Sequence, residues 1–409
     1  MLIDKIKSLA SKNFETVIGY RRHIHANPEL SYQEYNTADY VASILTEFGI
    51  PNTRMANTGV IGIIEGKQPG KTIALRADID ALPIEEKNDI SYKSKNAGVM
   101  HACGHDVHTS SLLGAAKILK ELSNEWSGTI KLIFQPGEEK LPGGASILIK
   151  EGVLENPAPV SIIAQHVFPS LEAGKVGFAS GPYMAACDEI YLTVKGKGGH
   201  AALPKSTISP LLITSEILLE LDNAFMQGKP NHQIIKSSNY QISLPVVLAF
   251  GKMNANGATN VIPNEVKLEG TFRTMDENSR AGAHKLIREI VSSVAKKWGG
   301  DFGLSIDKGY PVLINNEEVT NRARAGAEEF LGEENVVTLE PRMTSEDFAF
   351  YSLLKPSCFY RLGTANTAKG ITSGLHTPTF NVEESTIETA TGLMAWLAIN
   401  ELSFINPVL

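Results

Sequence analysis

Short apolar runs that alternate with helical stretches are the feature that most constrains the fold of this chain. Compact runs of β-branched and aliphatic residues occur at Val60–Ile64, Thr72–Ala77, Thr129–Phe134 and Ser161–Val167. Such runs are typical of strands that are buried on both faces. Apolar residues at helical spacing predict helices near residues 34–48 and 108–122. Strands that alternate with helices predict βαβ units and a largely parallel sheet.

The pattern changes near Gly181 and Pro182. The following residues predict a strand at Ile190–Val194, a helix at Ile208–Leu221, strands near 240–250 and 265–273, a helix at about 279–297 and a strand near 301–307. The order βαββαβ is that of a ferredoxin-like α+β unit. The sequence therefore predicts a second, smaller domain inside the first.

The α/β pattern then returns. It predicts a helix near 317–330, strands at Val336–Leu339 and Cys358–Leu362, and a helix from about Glu384 to Leu402. We therefore predict a doubly wound, mostly parallel α/β domain at residues 1–182 and 311–409. An inserted ferredoxin-like α+β (βαββαβ) domain at residues 183–310 interrupts it.

Two polar segments lie within the predicted α/β domain. Met100–His108 offers one thiol and three imidazoles, and Gln135–Glu139 ends in two adjacent carboxylates. Thiolate, imidazole and carboxylate are the groups that bind zinc and similar divalent metals. A second carboxylate beside a ligating one can deprotonate a metal-activated water, which is the chemistry of hydrolysis.

The candidate residues follow predicted strands. Asp78 follows the strand at Thr72–Ala77, Glu138 and Glu139 follow the next, and His166 lies at the end of a third. Ligands of open parallel sheets bind at the carboxyl ends of the strands, so we expect these side chains to share one cleft. Cys103 and His105 precede a predicted helix, whose N-terminus would lower the pKa of a thiol. For Asp106 and His108 we expect capping or structural roles rather than metal ligation.

Charge and composition argue against several classes of partner. A net charge of −7 argues against a nucleic-acid or anionic-membrane partner, because either would favour a basic face. No apolar run approaches the roughly 18 residues that a membrane span needs. The first ten residues have the spacing of an amphipathic helix rather than a signal peptide, which predicts a cytoplasmic protein. Three widely separated cysteines do not suggest a disulfide framework.

Two other interpretations are open. Cys103 could be a nucleophile with a nearby histidine as its base, which would leave Glu138, Glu139 and His376 without a role. Alternatively, the chain could be a catalytically inactive metal- or peptide-binding protein. Sensitivity to thiol alkylation without sensitivity to chelators would favour the first. Metal content without turnover would favour the second.

At these segments the chain resembles the aminoacylase-type branch of the dinuclear metallopeptidases, which includes hippurate hydrolases, auxin–amino-acid conjugate hydrolases and N-acetyl-diaminopimelate deacetylases. The similar segments occur in order over nearly the whole chain. They are Arg21–Leu30, Arg76–Pro83, Met100–His108, Phe134–Glu139, Gly198–Ala202, Asn260–Pro263, Ser345–Phe348 and His376–Phe380. The resemblance implies metal-dependent hydrolysis of the amide bond of N-acyl amino acids or small dipeptide-like amides.

The resemblance also implies a pair of divalent metal ions, with zinc expected before manganese, cobalt or nickel. Cys103 would bridge the two ions. His105 and His166 would complete the protein ligands of one ion, and Glu139 and His376 those of the other.

Other roles follow from the same resemblance. Glu138 would be the general base, and Asp78 would orient a ligand imidazole through its other ring nitrogen. His200 would stabilise the oxyanion, commonly in the active site of a partner subunit, and Asn260 and Arg273 would bind substrate. The inserted domain would serve as a lid and join a homodimer. Leu141-Pro142 and Ile147-Leu148 depart from residues often found in relatives, so the substrate is not assigned.

Overall fold

The computed structural model describes residues 1–225, 234–236, 241–243 and 245–405. These residues form the helices α1 (Leu2–Ala26), α2 (Tyr35–Glu47), α3 (His105–Glu121), α4 (Gly144–Lys150), α5 (Pro210–Phe225), α6 (Glu277–Lys297), α7 (Glu317–Leu331), α8 (Ala349–Ser352) and α9 (Thr386–Ile405).

The strands up to the middle of the chain are β1 (Asn52–Met55), β2 (Gly59–Glu65), β3 (Thr72–Asp78), β4 (Thr129–Gln135), β5 (Pro159–Glu172), β6 (Val176–Phe178), β7 (Gly181–Met184), β8 (Ala186–Lys195) and β9 (Gly199–His200). The remaining strands are β10 (Ile234–Lys236), β11 (Gln241–Ser243), β12 (Val246–Asn254), β13 (Val261–Ile262), β14 (Glu265–Thr274), β15 (Asp301–Lys308), β16 (Leu313–Asn315), β17 (Val336–Thr338) and β18 (Ser357–Ala365).

The chain forms two compact units. The large unit comprises Met1–Gly181, Ile314–Glu340 and Asp347–Leu409, and the inserted unit comprises Pro182–Leu313 and Pro341–Glu346. The short segment 341–346 belongs to the inserted unit, although the sequence analysis placed it in the α/β domain. Backbone bonds explain the difference, because Ala185 N–H donates to the carbonyl oxygens of Arg342 (3.1 Å) and Thr344 (2.9 Å).

The large unit contains an eight-stranded sheet in the order β1-β2-β4-β3-β5-β18-β6-β17. The central pairs β3–β4, β3–β5 and β5–β18 are parallel, whereas β1–β2 and β2–β4 are antiparallel. The antiparallel edge arises because a tight turn joins β1 to β2, in which Ala56 and Asn57 have positive φ values of 49° and 67°. The prediction of a mostly parallel α/β sheet is confirmed.

Both faces of the central strands are covered. Ile130, Leu132 and Phe134 of β4 join the core cluster that also contains residues of α1, α3 and α9. The alternate residues Lys131 and Ile133 are buried as well. Because successive side chains of a strand point to opposite faces, burial of both sets means that the sheet is covered on both sides.

The inserted unit contains a four-stranded antiparallel sheet in the order β12-β14-β8-β15. Its elements follow one another as β8, α5, β12, β14, α6 and β15, which is the predicted βαββαβ order. Ile190, Leu192 and Val194 of β8 pack in the core with α5 and α6, whereas Glu189 and Tyr191 of the alternate set are exposed. The strand predicted near 240–250 is observed as β12, and residues 240 and 244 lie outside the described residues.

Candidate metal centre and active site

The carboxyl ends of β3 and β4 bring two acidic segments together. The strands are parallel and in register, with Asp78 opposite Gln135. Immediately afterwards Ile79 N–H donates to Gln135 O at 2.9 Å. Asp80 therefore lies beside the loop that carries Glu138 and Glu139, and Glu139 N–H donates to Asp80 Oδ2 at 3.0 Å. Register thus places carboxylates from distant parts of the sequence at one edge of the sheet.

The turn before α3 brings Cys103 to β5. Gly104 has a φ of +80°, and a Cβ on it would lie 2.6 Å from a methyl group of Val167. Only glycine fits this close approach without displacement. Cys103 Sγ consequently lies 3.4 Å from Nε2 of His166, the residue before Val167. The helix begins at His105, three residues before its predicted start, so this imidazole lies in the first turn.

His166 lies inside β5 and not at its end, because β5 continues to Glu172. The pairing of β5 with β3 stops at Ala164, whereas its pairing with β18 continues past His166. The Nδ1 atom of His166 lies 2.8 Å from Val167 O, which can only accept a hydrogen bond, so Nδ1 carries the proton. The unprotonated Nε2 is then the nitrogen that can bind a metal.

His376 comes from the segment between β18 and α9. Its φ is +58°, which is uncommon for a non-glycine residue, and its N–H donates to Ala102 O at 2.9 Å. Its Nε2 lies 3.2 Å from Glu139 Oε1. The ring is about half exposed, with 53% of its side chain accessible. His376 is therefore the most open of the predicted ligands.

The five predicted ligands form two groups that share Cys103. One group is Cys103, His105 and His166, and the other is Cys103, Glu139 and His376. Within each group the potential ligand atoms all lie within 4.8 Å of one another. His105, Glu138 and Glu139 form a further group by the same measure, so the predicted base lies beside the predicted ligands.

The donor set fits divalent cations. Within the described part of the chain, the buried atoms His105 Nε2 and Glu139 Oε1 make no hydrogen bond, and the contact of Glu139 Oε1 with His376 Nε2 at 3.2 Å is an ion-pair distance only. Unsatisfied buried polar atoms are costly, and a bound cation would satisfy both. Thiolate and imidazole favour zinc, and carboxylate also suits manganese.

The electric field at His105 also favours a cation. Burial alone would lower the pKa of this imidazole, but the neighbouring carboxylates of Asp78 and Asp80 outweigh burial and raise the pKa to about 10. The local negative charge therefore stabilises a positive charge at this place. A metal ion would take the place of the proton.

The carboxylate that orients His105 is Asp80, not Asp78. Nδ1 of His105 lies 2.9 Å from Asp80 O and 3.2 Å from Asp80 Oδ1. Asp78 Oδ1 instead lies 2.5 Å from Nδ1 of His108, whose Nε2 accepts from Val167 N–H at 2.9 Å. Asp78 thus orients an imidazole that connects α3 to β5, which is the structural role expected for His108. The sequence signal for Asp80 was its position two residues beyond Asp78.

Replacement of Asp80 by Ala should weaken metal binding about 10–100-fold, the usual effect of losing a partner of a metal-ligating histidine. Asp80 is buried and contacts both His105 and the backbone of Glu139. The affinity can be measured by competition with a chromophoric chelator. Asp39→Ala is the control, because this aspartate is exposed and pairs only with Arg54 among the described residues. Equal metal affinities of the two variants would contradict the assignment.

A buried polar network lies at the end of β4, next to the loop that carries Glu138, and it was not predicted from the sequence. Arg76 donates to Asp347 Oδ1 at 2.9 Å and to Gln135 Oε1 at 3.0 Å, and it also bonds to Asp78. Gln135 Nε2 in turn donates to both carboxylate oxygens of Asp347 at 2.8 Å. Asp347 N–H reaches Glu138 Oε1 at 3.4 Å. The network fixes the end of β4, from which the Glu138 loop starts.

The expected lowering of the Cys103 thiol pKa is wrong. Burial, followed by the charges of Glu139 and Glu138, raises the pKa well above its ordinary value. A nucleophilic cysteine needs a thiolate, so this environment argues against the interpretation of Cys103 as a nucleophile. A cation bound to the sulfur would instead stabilise the thiolate.

Two of the predicted site residues of the inserted unit lie together. The short strands β9 and β13 pair with His200 opposite Val261, and Ala201 N–H donates to Asn260 O at 2.9 Å. Both His200 and Asn260 are exposed. Ala202 N–H donates to His200 Nδ1 at 3.1 Å, so the neutral ring carries its proton on Nε2. His200 therefore presents Nε2–H as a free donor within the described chain.

Arg273 makes a different set of contacts. It lies on β14, is partly buried, and donates through Nη1 to Met343 O at 3.1 Å and to Ser345 Oγ at 3.4 Å. These bonds hold the segment 341–346 within the inserted unit. Arg273 thus has a structural role in addition to the predicted substrate contact.

Comparison with known proteins identifies the family. The model of peptidase family M20/M25/M40 matches residues 74–400. The chain belongs to this family. The matched range includes every predicted site residue of both units, and the resemblance recognised from the sequence is thereby confirmed.

The relatives of this family member are hydrolases by name. An N-acyl-L-amino acid amidohydrolase of Geobacillus stearothermophilus is 40% identical over 78% of this chain and 83% of the relative. Thermostable carboxypeptidase 2 of Saccharolobus solfataricus is 38% identical over 97% of this chain and 98% of the relative. The structure of the Bacillus subtilis YXEP protein, described as a dinuclear metal-binding peptidase of family M20, has a TM-score of 0.83 and 32% identity and covers 97% and 99% of the two chains. The chain is a hydrolase of this family. Among its described helices, none has the length and apolar content to cross a membrane.

Proposed function

We propose that this protein hydrolyses the amide bond of N-acyl amino acids or small dipeptide-like amides. The reaction would release a carboxylic acid and an amino acid. The observation that carries the proposal is the pair of ligand groups that share Cys103, with Glu138 beside them. Relatives named as an N-acyl amino acid amidohydrolase and as a carboxypeptidase support an acylated amino acid as substrate.

The predicted ligands would hold two divalent ions. Cys103, His105 and His166 would hold one divalent ion, and Cys103, Glu139 and His376 the other, with zinc the first candidate and manganese, cobalt and nickel the alternatives. Such ions, when bound, lower the pKa of a water and polarise a carbonyl group.

Glu138 is the proposed general base, and it later returns the proton as a general acid. Its carboxylate takes a proton from the water that attacks the carbonyl carbon, and a carbon–oxygen bond forms. The carbonyl oxygen gains negative charge in this step. The carbon–nitrogen bond then breaks, and Glu138 passes the same proton to the departing amine nitrogen. Its buried position, with only 6% of the residue exposed, keeps bulk water away from this transfer.

His200 is proposed to stabilise the oxyanion through its Nε2–H, in an active site that a partner subunit contributes. Replacement of His200 by Ala should therefore lower kcat by about 10²–10³, the usual loss for one oxyanion donor. Bound metal should not change, because His200 belongs to none of the ligand groups in the described chain. Steady-state kinetics and metal analysis of the same preparation check both statements. Unchanged kinetics would remove the inserted unit from the mechanism.

Asn260 and Arg273 are proposed to bind the carboxylate of the amino-acid part of the substrate. An Arg side chain can hold a carboxylate through two parallel hydrogen bonds. The exposed position of Asn260 beside His200 supports its part. For Arg273, Nη1 bonds to Met343 and Ser345, so the remaining guanidinium nitrogens would contact the substrate.

The test is a screen of N-acetyl, N-benzoyl and dipeptide substrates with the apo-enzyme reconstituted with zinc, manganese, cobalt or nickel. Turnover that depends on added metal and releases a free amino acid would support the proposal. Metal binding without turnover on any member of the panel would favour the inactive binding protein instead.

We further propose a cytoplasmic homodimer joined through the inserted unit. Among the described strands, β12 lies at an edge of its sheet, and the backbone groups of an edge strand can pair with a second strand. Next to it, α5 and β12 line an apolar groove of about 360 Å³ that includes Leu218, Leu248 and Phe250. Leu219 and Met253 are 66% and 53% exposed. Light scattering would show whether the mass in solution is twice that of one chain.

A further inference from the structure

The loop that carries Glu138 and Glu139 is held by a segment for which the proposed mechanism has no role. The holding segment is Ser31–Glu34, between α1 and α2, and we refer to it as the clamp segment. The held loop is Gly137–Gly143, here the Glu-Glu loop. Both belong to the large unit.

Tyr32 bonds to the far half of the Glu-Glu loop. Its hydroxyl donates to Lys140 O at 2.6 Å and accepts from Gly143 N–H at 3.0 Å. One hydroxyl thus joins two backbone groups of the loop that are three residues apart. Because both its donor and its acceptor are used by the loop backbone, this hydroxyl is not placed to act on a substrate.

Glu34 bonds to the near half of the loop. Its Oε1 accepts from Gly137 N–H at 2.8 Å, and its Oε2 accepts from Thr58 Oγ1 at 2.7 Å. The side chain is fully buried. A buried carboxylate is costly unless its oxygens are bonded, so these contacts fix the position of Gly137, the residue before Glu138.

The clamp segment and the loop also fit by shape. Gly137 has a φ of +61°, and a Cβ on it would lie 2.2 Å from the ring of Tyr32. Tyr32 itself has a φ of +67°, a conformation that non-glycine residues adopt at an energetic cost. Strained residues persist where surrounding contacts require them, and here the contacts are those to the loop.

A third contact passes through Asp80. Ser31 Oγ donates to Asp80 Oδ2 at 2.6 Å, and the same oxygen accepts from Glu139 N–H at 3.0 Å. The clamp segment therefore contacts the loop directly at Gly137, Lys140 and Gly143 and indirectly at Glu139. Glu138 and Glu139 lie between these fixed points.

We propose that Tyr32 and Glu34 are positioning residues that hold the backbone of the Glu-Glu loop, so that Glu138 and Glu139 face the metal centre. The effect on turnover rests on the proposed function, whereas the effect on the loop does not. Misplacement of a catalytic group by about 1 Å can cost about 10² in rate. Loss of the clamp should therefore lower kcat more than it changes KM.

The test compares Tyr32→Phe with Tyr35→Phe. Tyr32→Phe removes only the hydroxyl and keeps the ring against Gly137. Tyr35 is a matched control, because it is 54% exposed and its hydroxyl bonds to Asn57 at 2.9 Å, away from the loop. In the metal-loaded enzyme we expect faster amide hydrogen exchange over residues 137–143 in Tyr32→Phe only. We also expect its kcat to fall about tenfold or more, with KM changed less than about twofold.

A second pair of variants separates the hydrogen bond from overall destabilisation. Glu34→Gln keeps an acceptor for Gly137 N–H, whereas Glu34→Ala does not, so Gln should retain much more of kcat and of loop protection than Ala. Equal exchange and equal kcat in Tyr32→Phe and Tyr35→Phe would overturn the proposal. Absence of turnover in the unmodified enzyme would count against the proposed function alone, since exchange is measured without substrate.

Discussion

Replacement of Glu138 by Gln is expected to lower turnover by about 10²–10⁴-fold, the usual contribution of a general acid–base group. The amide keeps the shape of the side chain but cannot take a proton from water. Both metal ions should remain bound, because Glu138 belongs to neither of the two ligand groups that share Cys103. Its hydrogen bond from Asp347 N–H can also persist, since the amide oxygen still accepts. Initial rates and metal content, measured on one preparation, check the two statements together.

The adjacent residue provides the matched control. Glu139→Gln changes the same chemical group one position later, but Glu139 belongs to a ligand group and its Oε1 lies 3.2 Å from His376 Nε2. This variant should lose metal as well as turnover. If Glu138→Gln kept more than about a tenth of the unmodified rate, the base would be another residue. If it lost metal as readily as Glu139→Gln, Glu138 would be a ligand.

The α/β fold could be predicted from the sequence because buried apolar residues recur with the period of a helix or a strand. Runs such as Thr72–Ala77 and Thr129–Phe134 are typical of strands covered on both faces, and the structure shows them paired in parallel and in register. The same logic placed Glu138, which follows β4, at the edge formed by the carboxyl ends of the parallel strands. His166, expected at the end of a strand, instead lies inside β5, which continues to Glu172. The order of the predicted elements also indicated the insertion, because a βαββαβ order follows Gly181 and Pro182 and the α/β pattern returns after it.

Contacts between distant segments carry no such pattern. The observed hydrogen bonds of Asp80, Tyr32 and Glu34 reach loops that are distant in sequence. Single residues of these types are common on any surface. The segment 341–346 joins the inserted unit through backbone bonds and through the Arg273 side chain, and neither leaves a trace in side-chain periodicity. The pKa of Cys103 was expected to fall because only the local helix terminus is visible in the sequence. Burial, followed by the charges of Glu139 and Glu138, raises this pKa, and both causes depend on contacts that only the fold creates.

Loss of a hydrogen-bond partner of a metal ligand usually lowers metal affinity about 10–100-fold. Replacement of Cys103 by Ala is expected to lower it further, because Cys103 contributes to both ligand groups. Turnover should fall with the metal. Cys103→Asp is the informative companion, because a carboxylate can also bridge two divalent ions. We expect the Asp variant to bind metal more tightly than the Ala variant and to regain measurable turnover. Affinity by chelator competition and kcat at saturating zinc are the measurements.

The Ala and Asp variants distinguish a nucleophilic role of Cys103 from a role as metal ligand. If the thiol were a nucleophile, Ala and Asp variants would be equally inactive, and removal of metal from the unmodified enzyme would leave its rate unchanged. If the sulfur is a ligand, bound zinc should protect it from alkylation, because the thiolate is then engaged and the residue is only 6% exposed. Burial already raises the pKa of the metal-free thiol, together with Glu139 and Glu138. In the proposed centre the cysteine would become a thiolate when a cation binds to it, and this thiolate would contribute to both ligand groups.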